Sequence, residues 1–209
     1  MAAGEHFASE QFLSDLPVIV GFDGIEVRPD GKLVGFGGTK APCGAMAEKT
    51  VVPKQNTILI PEGVHAVTAA VLPAPALTSL FPFQWTAKLR PGETVLINGA
   101  TGIAVKLAVQ IAKLLGASKV VGTGRNLESL KQIKELGADA IIDFKHSDAG
   151  DWYDVILDFL WGRPTEVLMQ TLIPRQIGYV SKSIRLVQVG DAAGKTISLP
   201  ANALLTIAG

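Results

Sequence analysis

Val95-Leu-Ile-Asn-Gly-Ala-Thr-Gly-Ile-Ala-Val105 decides how the rest of the chain is read. Thr94 to Asn98 is β-branched and apolar, the composition of a strand buried on both faces. Gly99 and Gly102 punctuate a turn. A helix is expected from about Gly102 to Leu115, because Ala104, Ala108, Ile111, Ala112 and Leu115 line one face and Gly116 stops the run. Strand, glycine turn and helix in that order leave free backbone N–H groups at the helix N-terminus, where partial positive charge also gathers. A diphosphate can accept those bonds if the backbone comes close, and Gly99 and Gly102 permit the approach. A second strand, Lys119 to Thr123, follows about 20 residues on, the spacing of a dinucleotide-binding βαβ unit.

Two positions refine this reading. The usual third small residue of such a turn, which lets the helix lie close on its strand, is here Val105. Its branched side chain is expected to push the helix outward or force local repacking, at about 1–3 kcal/mol. The second strand runs out as Val121-Gly-Thr-Gly-Arg-Asn126. An NAD site would place an acid there for the ribose hydroxyls; Arg125 instead offers a permanently charged fork for a 2′-phosphate. That predicts NADP(H) over NAD(H), against the plainer reading of a solvated loop arginine.

Outward from the turn, strands and helices alternate. Asn126 is a good N-cap for a helix carrying Leu127, Leu130 and Ile133. Ala140 to Ile142 and Val155 to Leu157 read as strands, Pro164 opens a helix to about Leu172, and Arg185 to Val189 reads as a fifth strand. The alternation signals a parallel α/β sheet. Upstream, helices are expected over His65–Leu72 and Ala76–Leu89, and before them a small β unit. Its strand candidates are Leu16–Val20, Leu33–Phe36, Ala45–Val52 and Thr57–Ile60, with a turn at Arg28-Pro-Asp-Gly-Lys32. Two domains follow, 1–74 and 75–209.

Composition narrows the function classes. Hydrophobic residues are 48% and charged residues 18% of 209, which excludes disorder. Lys and Arg number 19 and so do Asp and Glu, so no net charge draws the chain to nucleic acid or an acidic membrane. The single Cys43 excludes an internal disulfide framework. No apolar run spans a bilayer and the first residues lack the features of a signal peptide, so a reducing, cytoplasmic setting is expected.

Across nearly its whole length the chain resembles the medium-chain dehydrogenase/reductase superfamily, most closely its zinc-independent, quinone-oxidoreductase-like branch. The likeness rests on Gly21-Phe-Asp-Gly24, Leu77-Thr-Ser79, Leu89-Arg-Pro-Gly-Glu-Thr-Val-Leu-Ile97, Gly99-Ala-Thr-Gly102, Leu107-Ala-Val-Gln-Ile-Ala-Lys113, Glu135-Leu-Gly-Ala-Asp139, Ile156-Leu-Asp158 and Leu186-Val-Gln-Val-Gly190. It implies a GroES-like β domain, here partial, ahead of a Rossmann-type doubly wound sheet, with NADPH in the cleft between them. It also implies that Thr101, Gly102 and Ile103 line the diphosphate and that Gly124, Arg125 and Asn126 hold the adenosine phosphate. Phe144 would lie beside the cofactor, Val189 and Gly190 near the nicotinamide, with Thr78 approaching the same ring.

A catalytic zinc needs three or four Cys, His or acid ligands. With only Cys43, His6, His65 and His146 to draw on, no metal site is expected; His65 reads as a partly buried helix residue and Trp85, Trp152 and Trp161 as packing groups. No side chain stands out as catalytic. Tyr153 and Tyr179 are possible proton donors, beside a proton from solvent. The expected activity is NADPH-dependent hydride transfer to a quinone, enone or related small carbonyl compound. The alternative is a truncated or degenerate NADP(H)-binding protein without turnover. A short-chain dehydrogenase is excluded because neither tyrosine has Lys four residues on, and a methyltransferase because no acid closes the second strand. Six strands are usual for the sheet and five are legible here, so the chain is expected to be short of its last strand, with Leu186–Val189 as an edge open to self-association.

Overall fold

The computed structural model describes residues 17–40, 42–99, 102–143, 152–172 and 183–199. The chain divides into two compact units, Met1–Pro73 and Ala74–Gly209.

The first unit holds an antiparallel sheet of β1 (Asp23–Val27), β2 (Leu33–Gly37) and β3 (Thr57–Leu59), in that order. The Pro-Asp-Gly turn sets its register. Gly31 takes φ +80°, its N–H donates to the Arg28 carbonyl at 2.8 Å, and Asp30 accepts from the Lys32 N–H at 3.2 Å. A turn closed there pairs Val27 with Leu33 and carries the pairing back to Asp23 and Gly37. The first strand is therefore Asp23–Val27 and not the more apolar run ending at Val20, because turn geometry outweighs local hydrophobicity. Ala45–Val52 forms no strand: among the described residues its backbone bonds are those of the Ala45 and Met46 N–H groups to the Gly21 and Val20 carbonyls. His65 caps the short helix α1 (Ala66–Val71), its Nδ1 accepting the Val67 N–H at 3.3 Å, so it is an exposed cap and not a half-buried helix residue.

In the second unit, α2 (Pro73–Phe81) runs into a π-helical turn at Pro82–Thr86. One continuous helix was the simpler expectation, but Pro82 has no N–H to donate and the Ala87 N–H closes instead on the Pro82 carbonyl at 2.8 Å. Lys88 turns left-handed at φ +50°. The Arg185 guanidinium pins that exit, donating to the Ala87 and Lys88 carbonyls and pairing with Glu93 at 2.6 Å. Trp85 does not pack inside; it lies exposed, stacked on Phe81 at 4.2 Å, and Trp152 is exposed as well.

The main sheet is parallel and follows β4 (Thr94–Asn98), α3 (Ile103–Leu114), β5 (Lys119–Gly124), α4 (Leu127–Glu135), β6 (Ala140–Asp143), β7 (Val155–Asp158), α5 (Gly162–Leu172) and β8 (Arg185–Gln188). Its strand order, β6-β5-β4-β7-β8, is that of the first five strands of a doubly wound Rossmann sheet. Strand periodicity divides the core. Val95 and Ile97 face α3 and α4, while Leu96 and Ile156 face Leu168 and Leu172 of α5. Val105 is buried in the first of these clusters. Ala108 and Ala112 of the same helix share that cluster and are fully buried. β8 pairs with β7 alone among the described residues.

Candidate functional site

Parallel strands end together, so β5, β4 and β7 bring one row of polar residues to a single edge. Asn98 lies in register with Thr123 on one side and Asp158 on the other. All three are buried, as is Thr165 in the first turn of α5. Their bonds run in one direction. The Gly99 N–H donates to Thr123 Oγ1 at 3.3 Å and the Thr123 hydroxyl to Asn98 Oδ1 at 2.7 Å. The Asn98 amide then donates to Asp158 Oδ1 at 2.9 Å. Asp158 also accepts from Thr165 Oγ1 at 2.6 Å, the Leu160 N–H at 3.0 Å and the Trp161 N–H at 3.3 Å. A carboxylate is acceptor-only and ends such a chain of donors naturally, and the N-terminus of α5 adds favourable charge beside it. None of these four side chains stands out in the sequence as a site residue. The available signal was an Asn or Asp closing an apolar strand; that they meet depends on register.

The glycine turn divides its work between its two glycines. Gly99 has φ +95°, and a Cβ there would lie 2.7 Å from Leu160 Cγ. Its N–H is already given to Thr123. Gly99 therefore serves conformation and packing, where the sequence suggested a direct role in close approach. Gly102 is different. As the N-cap of α3 it has φ −87° and ψ 172°, open to any residue, and a Cβ there meets nothing within 4 Å. Among the described residues nothing requires glycine at Gly102, which stands at the start of a 12-residue helix. Ile103 beside it is exposed. Ser79, part of the Leu77-Thr-Ser79 segment but given no role from the sequence, is buried and holds this helix start: its hydroxyl reaches the Ala104 carbonyl at 2.7 Å and that of Pro75 at 3.1 Å.

At the end of β5, Gly124 is buried and Arg125 exposed, with no ion pair among the described residues. Asn126 caps α4, its side chain accepting the Ser129 N–H at 3.1 Å, so its oxygen is committed to the helix. Val189 and Gly190 follow β8 and donate to the Asp158 carbonyl at 2.7 and 3.2 Å. Gly190 presses on the next loop, where a Cβ would lie 2.8 Å from the Phe159 carbonyl oxygen. Thr78 is exposed, its hydroxyl bonded to the Ala74 carbonyl at 2.7 Å. Tyr153 precedes β7 and is buried in the second core cluster, at the opposite end of the strands from the glycine turn; it is no proton donor for that edge. Thr101, Phe144, Tyr179, His6 and His146 lie outside the described residues. Among the described residues, no cluster of three His, Cys, Asp or Glu could hold a metal ion, and no helix is long and apolar enough to cross a membrane.

Residues 106–206 match the family model described as zinc-binding dehydrogenase. A quinone oxidoreductase-like protein 2 homolog of Nematostella vectensis is 31% identical over 166 residues, 78% of this chain and 44% of that protein. The chain spans about half the length of the relatives it matches. Among solved structures, a quinone oxidoreductase of Pseudomonas syringae superposes with a TM-score of 0.73 at 28% identity, covering 92% of this chain and 62% of that one. The quinone oxidoreductase of Thermus thermophilus, whose complex with NADPH is also solved, gives a TM-score of 0.74 at 27% identity over 91% and 59%.

Proposed function

The chain belongs to the medium-chain dehydrogenase/reductase superfamily, in its quinone-oxidoreductase-like branch, and from that membership we propose that it binds NADP(H) at the C-terminal edge of its parallel sheet and serves an NADPH-dependent reductase. The observation that carries the reading is Gly102. A helix N-cap with ordinary dihedrals, no side-chain cap and, among the described residues, open space at its Cβ position stands ahead of first-turn amides that an α-helix leaves without intrahelical partners, and that setting fits a diphosphate. Gly102 and Ile103, with Thr101, would hold that group; Arg125 would hold the 2′-phosphate beside the Gly124 and Asn126 backbone. Val189 and Gly190 would lie near the nicotinamide and Phe144 beside the cofactor. The coenzyme, when bound, supplies the hydride. The chain's own part is to bind, orient and keep the turn rigid.

The acceptor class in this reading is a quinone, enone or related carbonyl compound, reduced without zinc. Its support is the branch itself and a sequence whose lone cysteine is Cys43. Residues 1–74 would be a partial GroES-like domain and 75–209 the dinucleotide domain. A cytoplasmic location and self-association along the outer edge of β8 belong to the same proposal, and neither nucleic acid nor membrane is a partner.

Fluorescence titration with NADPH and NADH, followed by NADPH oxidation with 1,4-benzoquinone, tests the proposal. NADPH is expected to bind at least tenfold more tightly than NADH, and Arg125→Ala to erase most of that preference, a loss of about 1.5–3 kcal/mol for a charge-assisted contact. Equal binding of the two coenzymes by the unaltered chain would overturn it. Binding without oxidation would favour the alternative, a coenzyme-binding protein without turnover.

A further inference from the structure

The contacts around Gly99 close on themselves. From its N–H the bonds run through Thr123 and Asn98 to Asp158, and Asp158 accepts the N–H of Leu160. The Leu160 side chain then returns to Gly99, its Cγ only 2.7 Å and its Cδ2 2.9 Å from where a Cβ would stand. The loop that carries Leu160 is itself tied down. The Leu160 carbonyl accepts the Ala193 N–H at 2.7 Å. Trp161 takes φ +53°, a conformation a bulky side chain avoids, and its N–H is held by both Asp158 oxygens at 3.3 Å. Gly162, also left-handed at φ +60°, lets the backbone of Ala193 and Gly194 come so close that a Cβ would lie 2.6 Å from the Ala193 carbonyl oxygen. A strained loop persists when its surroundings over-determine it, and these surroundings lead to the glycine turn.

We propose that Leu160 is a positioning residue for the coenzyme's diphosphate: anchored through its own N–H to Asp158, it clamps Gly99 so that the amides at Gly102 keep a gripping geometry. The turn's own sequence is then insufficient, and the loop after β7 supplies the missing constraint. This rests on the coenzyme reading above for its ligand, but the clamp itself is a property of the free protein.

The test uses the full chain and Leu160→Ala, with Leu160→Val as the milder variant should the first not give a cooperative melt. NADPH is the first probe. Adenosine 2′-phosphate, which carries the 2′-phosphate and no diphosphate, is the second, measured by its displacement of NADPH. Misplacing a binding element by about an ångström commonly costs tenfold or more, so the NADPH dissociation constant is expected to rise about tenfold while that of adenosine 2′-phosphate stays within about twofold. A merely structural leucine would weaken both together, and that result, or no change in either, overturns the proposal. Asp158→Asn, which turns an acceptor facing Thr165 and Trp161 into a donor, is expected to give the same split.

A ligand-free measurement separates this from the coenzyme reading. Gly99→Ala is expected to lower Tm by less in the Leu160→Ala background than in the unaltered chain, because truncation removes the atoms the new methyl group would strike. If NADPH fails to bind the unaltered chain but this coupling is found, the coenzyme reading fails and the clamp stands. If the two substitutions lower Tm additively, the clamp is refuted whatever the coenzyme does.

Discussion

Gly99→Ala and Gly102→Ala place the same methyl group three residues apart in one turn, and the structure assigns them opposite outcomes. At Gly99 the backbone has φ +95° and the new Cβ would meet Leu160 Cγ at 2.7 Å. A non-glycine residue held left-handed costs about 1–3 kcal/mol before the clash is counted. For a chain this long about 1 kcal/mol moves Tm by roughly 2–4 °C, so a fall of about 5–10 °C is expected. At Gly102 the dihedrals are ordinary and the methyl group meets nothing within 4 Å. Reduced freedom of the unfolded chain adds about 0.4–1 kcal/mol and replacing a glycine N-cap by alanine removes a similar amount, so Tm should stay within about 3 °C. Binding reverses the order of severity. A methyl group between the helix amides and a diphosphate forfeits at least one charge-assisted bond of about 1.5–3 kcal/mol, a tenfold to hundredfold rise in the NADPH dissociation constant. Scanning fluorimetry and NADPH fluorescence titration on the two variants give both numbers. If Gly102→Ala binds NADPH as the unaltered chain does, or melts as early as Gly99→Ala, the assignment of the open cradle is wrong.

Other outcomes follow from the polar and charged contacts. Asn98→Leu leaves the Thr123 hydroxyl and one Asp158 oxygen without their buried partner, and urea unfolding should show a loss of about 2–4 kcal/mol. Ser79→Ala removes one hydroxyl from the Ala104 carbonyl, which keeps its other lone pair, so about 1 kcal/mol is expected in the same assay. Arg185→Met breaks the pairing with Glu93 and frees the Ala87 and Lys88 carbonyls; Tm should fall while coenzyme affinity, set at the other end of the strands, does not change. Acid should destabilise the protein through two carboxyls. Burial acts to raise Asp139, but the hydrogen bonds from Lys113 and the Val120 amide, with the Lys113 charge, outweigh it and hold the group below its ordinary 3.8. The Ser198 amide and then Arg163 hold Glu166 below its ordinary 4.5. Depressed carboxyls stabilise the fold above their unfolded values, and that contribution disappears as pH falls through the lowered folded values. Thermal melts should therefore hold level down to about pH 5 and drop steeply below about pH 4, and Lys113→Met should flatten the drop.

Much of the architecture was legible from residue order because it follows from local chemistry. Apolar β-branched runs at Val95–Ile97 and Val155–Leu157, helix periodicity through Ala108 and Ala112, the cap at Asn126 and the stop at Gly116 each act within a few residues, and together they specify alternating strands and helices. The same locality explains the Pro-Asp-Gly turn at Arg28–Lys32. Where two local signals competed, tertiary pairing chose: the turn imposed Asp23–Val27 as a strand against a more apolar neighbour, and Pro82 broke into π geometry a helix whose pattern continued.

The site was legible in part, for a similar reason. A glycine turn between strand and helix can be read along the chain, and so can an arginine in place of an acid after the second strand. Which glycine faces a neighbour and which faces open space cannot, since Gly99 and Gly102 differ only in what lies across from them. Nor can the row Thr123, Asn98, Asp158, whose members are brought together by parallel register and by strands that are not adjacent in sequence. Local sequence thus determined where a helix start presents its first amides; only the packing of the loop after β7 against that turn decided that Gly99 is spent within the fold, its N–H given to Thr123 and its Cβ position met by Leu160, while Gly102 has no such neighbour among the described residues.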